Sequence, residues 1–149
     1  MITYFDTSSI MKWLFEEPYS EQADQARANA DFAVTSLMAY PEVLSAIRRA
    51  RQEGRCSESE MAFARKEFLS LWNDFTWIRP SEALVFETQD LIFLHGLRGY
   101  DAIHLASALV LKREAESEIL FSCFDRKLNR AAAGEGLQVH SNLAAEQTE

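Results

Sequence analysis

Four acidic residues lie where the chain passes from one predicted element to the next. Asp6 and Asp125 each follow a short apolar run, and Glu42 and Asp101 lie near the starts of predicted helices. Several carboxylates in one pocket repel one another, and a divalent cation relieves that repulsion. Their oxygens are the ligands that Mg²⁺ and Mn²⁺ prefer. Because such an ion activates water and stabilises both oxygens of an in-line phosphoryl displacement, the pattern indicates metal-dependent phosphoryl-transfer chemistry.

Each of these acids also has a purely structural explanation. Asp6 and Asp125 are suited to cap the helix that follows, and Glu42 and Asp101 favour the positive end of a helix dipole. His104 follows Asp101 by about one helical turn, where it is either a general base or a packed core residue. We expect the structural role for His104. Only a fold that gathers the four acids favours the chemical explanation.

Short β-prone runs alternate with helical segments along the whole chain. The predicted strands are residues 2–5, 32–35, 76–79 and 118–123, with a possible fifth at 137–139. This alternation predicts a three-layer α/β/α sandwich around a central, mostly parallel sheet of four to five strands. In such sheets, ligands bind outside the carboxyl ends of the strands, near the point where the strand order reverses. The four acids are therefore expected at one edge of the sheet.

Two predicted helices carry clear local signals. Ser57 and Glu60 have the spacing of a capping box, which predicts a helix start at that point. The helix that carries Asp101 is expected to be amphipathic. Its single buried stripe is predicted to contain Ile103, Ala106, Leu109 and Val110.

Length and composition predict one globular domain. The chain has 149 residues, of which 48% are hydrophobic, so a substantial core is available. We place the domain at residues 1–143 and expect a frayed tail at 144–149. No apolar run approaches the roughly 20 residues of a membrane span, and the first residues do not resemble a signal peptide. The lack of such a run predicts no membrane association. Two cysteines without CxxC spacing indicate free thiols in a reducing cytoplasm.

The formal net charge of −8 has the wrong sign for a protein that binds nucleic acid over much of its surface. A metal site would neutralise part of this charge, and basic side chains would then need to line only one local path. The densest basic patch contains Arg48, Arg49, Arg51 and Arg55. The first three are candidate phosphate contacts, and the alternative is a solvated helix face.

Four stretches of the chain carry a family resemblance. They are Tyr4-Phe5-Asp6-Thr7-Ser8-Ser9-Ile10-Met11-Lys12, residues 36–45 with Pro41-Glu42-Val43, Tyr100-Asp101-Ala102-Ile103-His104-Leu105-Ala106-Ser107-Ala108, and Phe124-Asp125-Arg126-Lys127-Leu128 with the segment that follows. In order and spacing they resemble the PIN-domain family, most of all its VapC-type toxins. The resemblance covers nearly all of the chain.

The resemblance implies both a site and partners. Asp6, Glu42, Asp101 and Asp125 match the family's acidic metal ligands and would be the catalytic residues. The implied cofactor is Mg²⁺, with Mn²⁺ as a possible substitute, and the implied activity is endoribonuclease cleavage. The implied partners are an RNA substrate, a cognate VapB-like antitoxin and a second copy of the chain in a homodimer.

One position departs from the family pattern. Many members carry Thr or Ser two residues before the last acid, and this chain has Cys123 there. The neighbouring Ser122 is a candidate support, although it would point to the opposite face of a continuing strand. Thr7 and Ser8 are the alternative supporting hydroxyls.

The residues match one rival function equally well and the others less well. A PIN-type nuclease of housekeeping RNA processing would share the whole pattern. A haloacid-dehalogenase-like enzyme would need an acid two residues after Asp6, where Ser8 stands, and a receiver-like domain would need an acidic pair after the first strand. A binding module with a decayed site is disfavoured by the presence of all four acids.

Overall fold

The computed structural model describes residues 1–141 and 143, which contain four strands and seven helices. The strands are β1 (Ile2–Phe5), β2 (Phe32–Ser36), β3 (Thr76–Ile78) and β4 (Ile119–Ser122). The helices are α1 (Thr7–Leu14), α2 (Ser20–Asn29), α3 (Ala39–Gln52), α4 (Glu58–Trp72), α5 (Glu82–His95), α6 (Gly99–Ala115) and α7 (Arg126–Gly134). The tail predicted at 144–149 lies outside the described residues.

All four strands are parallel, in the order β3-β2-β1-β4. Tyr4 of β1 lies opposite Val34 on one side and Phe121 on the other, so β1 is an interior strand of the sheet. The possible fifth strand is reduced to one parallel bridge between Gln138 and Leu120. Two backbone hydrogen bonds of Gln138 to β4 hold this bridge, which is too short a pairing to form a strand.

Side chains of β1 alternate between two cores on opposite faces of the sheet. Tyr4 is buried in the core shared with α5, α6 and α7, and Phe5 is buried in the core shared with α1, α2, α3 and α4. The predicted three-layer α/β/α sandwich with a parallel sheet is therefore confirmed. No helix within residues 1–141 and 143 has the length and apolar character needed to cross a membrane.

The local helix signals had different outcomes. The capping box at Ser57 and Glu60 is present, with both reciprocal hydrogen bonds formed. The single stripe expected on α6 is wrong, because this helix packs against α5, α7 and the sheet at once. Its fully buried residues are Ala102, Leu105, Ala106, Ser107 and Ala108. Ile103 and Leu109 of the expected stripe are only partly buried.

Candidate active site

The four predicted acids line one cleft of about 800 Å³ at the carboxyl end of the sheet. Asp6 follows β1 directly, and Asp125 comes shortly after β4. The chain leaves β1 towards β2 on one side, whereas β4 lies on the other side, so the strand order reverses between β1 and β4. Glu42 and Asp101 reach the same cleft from the first turns of α3 and α6. The fold thus brings together residues separated by up to 119 positions, from Asp6 to Asp125.

Asp6 is buried and also caps α1. The structural role predicted for this residue is therefore compatible with a place at the predicted metal site. Its Oδ1 accepts hydrogen bonds from the Ser9 backbone N–H at 3.0 Å and from the Ser8 hydroxyl at 2.7 Å. Burial raises the pKa of Asp6, although the nearby His104 and these hydrogen bonds act in the opposite direction. The ionised carboxylate is therefore held in a place that disfavours its charge, and a cation in the cleft would compensate for this.

Glu42 is held by a chain of hydrogen bonds that begins in the core. Its Oε1 accepts from the Thr7 hydroxyl and lies 2.7 Å from His104 Nε2. Since a carboxylate only accepts, Nε2 carries the hydrogen. His104 Nδ1 lies 2.7 Å from the hydroxyl of buried Tyr4. We expected a structural role for His104. In the structure, the imidazole of His104 orients the Glu42 carboxylate.

The electrostatics of this pair favour opposite charges. Burial raises the pKa of Glu42, but the hydrogen bond and charge of His104 outweigh burial, so the pKa of Glu42 is lowered overall. Burial likewise lowers the pKa of His104, but Glu42 outweighs it, so the pKa of His104 is raised overall. Glu42 is consequently a carboxylate whose position is fixed at neutral pH.

Asp101 pairs with Arg98, a residue that the sequence analysis did not single out. The guanidinium Nε donates to Asp101 Oδ2 at 3.2 Å. Burial raises the pKa of Asp101, and the charge and hydrogen bond of Arg98 act against that shift. A basic residue three positions before an acid at a helix start was the signal available in the sequence.

Asp125 caps α7, and the residues before it fill the space behind the cleft. Its Oδ1 accepts from the Leu128 backbone N–H at 2.9 Å. Cys123 is fully buried and does not line the cleft. Ser122 lies outside the cleft as well, since its hydroxyl bonds to Ser9 at 2.7 Å and to His140 at 2.9 Å.

The supporting hydroxyls at the cleft belong to α1. Thr7 contacts Glu42, and Ser8 contacts Asp6 while also accepting from the Phe124 backbone N–H at 3.0 Å. Ser8 therefore ties the end of β1 to the segment after β4. This places Thr7 and Ser8, and not Ser122, against the predicted acids.

Basic side chains line two walls of the cleft. Arg48 and Arg49 of α3 contribute to one wall, together with Arg55 from the turn that follows. Arg51 lies further round α3 and does not line the cleft. Arg98 lies next to Asp101, with half-exposed Tyr100 beside it. The structure thus separates Arg51 from the other two predicted phosphate contacts.

The four carboxylates of the cleft suit a hard divalent cation, although their side chains are not arranged around a single metal position. Within residues 1–141 and 143, no three His, Cys, Asp or Glu side chains are grouped closely enough to hold a metal ion. Glu42 is turned towards His104, and Asp101 towards Arg98. Mg²⁺ needs no such cage, because it usually keeps several waters and uses one or two carboxylates with substrate phosphates.

Comparisons with known proteins agree on one family. The family model described as PIN domain matches residues 3–134. Ribonuclease VapC45 of Mycobacterium tuberculosis (strain CDC 1551 / Oshkosh) is 36% identical over 143 residues, which cover 93% of this chain and 94% of that protein.

Two solved structures have the same fold. FitAcB from Neisseria gonorrhoeae superposes with a TM-score of 0.65 at 14% identity and covers 93% of this chain and 96% of that one. VapBC2 from Rickettsia felis, bound to a DNA fragment from its promoter, superposes with a TM-score of 0.61 at 15% identity. The match covers 94% of this chain and 98% of that one. The similarity spans nearly the whole chain, as the motif resemblance predicted.

Proposed function

The chain belongs to the PIN domain family, and from this membership we propose that it is a metal-dependent endoribonuclease, the toxin of a VapBC-type toxin–antitoxin system. The observation that carries the proposal is the convergence of Asp6, Glu42, Asp101 and Asp125 on one cleft. The proposed cofactor is Mg²⁺, with Mn²⁺ as a substitute, because the donors are all carboxylate oxygens. The receiver-like and dehalogenase-like alternatives receive no support from the family match.

The side chains of the cleft would have different roles in RNA cleavage. Nucleases of this family generally depend on a divalent ion, which supplies water activation and charge stabilisation for in-line attack on the phosphodiester. Asp6 would provide the central carboxylate, since it is buried and fixed by Ser8 and Ser9. Glu42 would act in the orientation that His104 gives it. The basic walls would hold the RNA backbone across the acids.

The activity is tested directly with purified protein and a labelled single-stranded RNA. We expect cleavage in Mg²⁺ or Mn²⁺, no cleavage in EDTA, and recovery when the ion is restored. Asp101→Asn should be inactive in both ions while keeping the circular dichroism spectrum of the unmodified chain. Cleavage that persists in EDTA, or full activity of Asp101→Asn, would contradict the proposal.

The basic wall of α3 offers a second prediction. If Arg48 and Arg49 contact phosphates, changing both to Ala should weaken RNA binding in EDTA and reduce the slope of log affinity against log salt by about 1.4. Arg51→Ala is the matched control, because Arg51 is exposed on the same helix but lies outside the cleft. The double variant removes two charges and the control removes one. A control effect about half as large as that of the double variant would therefore show that only net charge matters.

The proposed protein partners fit two apolar surfaces. Phe86, Phe93 and Leu94 of α5 are 73%, 85% and 73% exposed, and a second copy of the chain in a homodimer would cover them. Leu14 and Phe63 line a groove between the end of α1 and the start of α4. This groove suits an amphipathic segment of a VapB-like antitoxin.

A cytoplasmic location agrees with the two free, buried cysteines.

A further inference from the structure

Arg98 lies at the acidic end of the cleft and influences three of the four acids. It donates to Asp101, and its positive charge contributes to lowering the pKa of Glu42. The pKa of Arg98 itself is raised, first by Asp101 and then, more weakly, by the charges of Asp125 and Glu42. A guanidinium therefore already lies beside the carboxylates that would hold a metal ion.

The two partners of this ion pair differ in how firmly they are held. The Asp101 side chain is 18% exposed, and that of Arg98 is 82% exposed. Arg98 is the N-cap residue of α6, yet its side chain makes no capping hydrogen bond. The Asp101 side chain is thus mostly buried, while the Arg98 side chain extends into solvent and is tethered by its hydrogen bond to Asp101. Ion pairs with one such solvated partner are weak and readily exchanged.

We propose that Arg98 alternates between two anionic partners: it pairs with Asp101 in the metal-free protein and with a phosphate of the RNA once a divalent ion has taken Asp101. The inference rests on the proposed function. Arginine suits both positions, because its planar donors match a carboxylate or a phosphate and it stays charged at any physiological pH. Arg98 would then compete with the metal in the free protein and add a phosphate contact in the substrate complex.

This exchange predicts effects of opposite sign for one substitution. In Arg98→Gln, Mn²⁺ binding measured by calorimetry without RNA should become about 2- to 5-fold tighter, because the competing cation is gone. The KM for RNA should rise about 5- to 10-fold, because one phosphate contact is lost. A side chain with a merely structural role would not strengthen metal binding when it is removed.

Arg49→Gln is the matched control for general charge, since Arg49 lines the same cleft from the other wall. It should raise the KM for RNA but leave Mn²⁺ affinity nearly unchanged. Unchanged Mn²⁺ affinity in Arg98→Gln, or an equal gain in Arg49→Gln, would overturn the exchange while wild-type cleavage still supports the proposed function. Wild-type protein that neither binds Mn²⁺ nor cleaves RNA would overturn both.

Discussion

Asp6→Asn should abolish RNA cleavage and, at the same time, raise the thermal stability of the metal-free protein. Asp6 is 3% exposed and lies at the floor of the cleft. Losing groups that merely orient metal ligands costs about 10- to 100-fold in activity, so losing a ligand should cost at least about 100-fold. Asparagine keeps an oxygen that can accept from the Ser9 backbone N–H, so the cap of α1 survives.

The gain in stability follows from removing a buried charge. Because burial raises the pKa of Asp6, the folded state favours the protonated carboxyl. The stability that this group contributes is fully present below its unfolded pKa and is lost as pH rises through the folded pKa. Asp6→Asn should therefore gain on the order of 1 kcal/mol at neutral pH, or about 3 °C in Tm, and the gain should vanish below about pH 4.

Melting curves from pH 3 to pH 8 in EDTA measure the change in stability, and RNA assays on the same preparations after addition of excess Mg²⁺ measure cleavage. Asp24→Asn is the matched control, since Asp24 is an exposed carboxylate on α2, away from the cleft. It should change neither cleavage nor melting. A destabilised Asp6→Asn at neutral pH would show that the carboxylate is needed for folding and that its buried charge is well compensated.

His104→Ala is expected to damage stability and catalysis together. The substitution removes a fully packed imidazole and leaves Glu42 without its firmest partner. Combining a cavity with a lost buried hydrogen bond should cost about 2–4 kcal/mol, or roughly 6–12 °C in Tm. Because Glu42 loses its orientation, kcat should fall about 10- to 100-fold with little change in KM for RNA.

Two further variants separate positioning from general destabilisation. Tyr4→Phe removes only the hydroxyl that contacts His104 and keeps the ring stacked on Phe121 at 5.4 Å between centroids. Tyr4→Phe should therefore lower Tm and kcat less than His104→Ala does. Phe68→Leu weakens the core on the opposite face of the sheet and should lower Tm without lowering kcat. Equal kcat values in His104→Ala and Phe68→Leu, assayed well below their melting temperatures, would remove the positioning role.

The sequence by itself was sufficient for the framework of this protein. The alternation of β-prone and helical runs predicted the parallel sheet, and the capping box predicted the start of α4. These features depend on short-range backbone preferences, which are visible in a few neighbouring residues. The gathering of Asp6 and Asp125 at one edge was also predictable, because carboxyl ends of parallel strands meet there.

Only the tertiary structure decided which side chains contact one another at the site. The hydrogen bonds between Tyr4 and His104 and between His104 and Glu42 join residues 100 and 62 positions apart. The division of the arginines between cleft and solvent, which excludes Arg51, depends on how α3 is rotated against its neighbours. No local pattern encodes such orientations, since they follow from the packing of whole helices on a sheet that forms between distant segments.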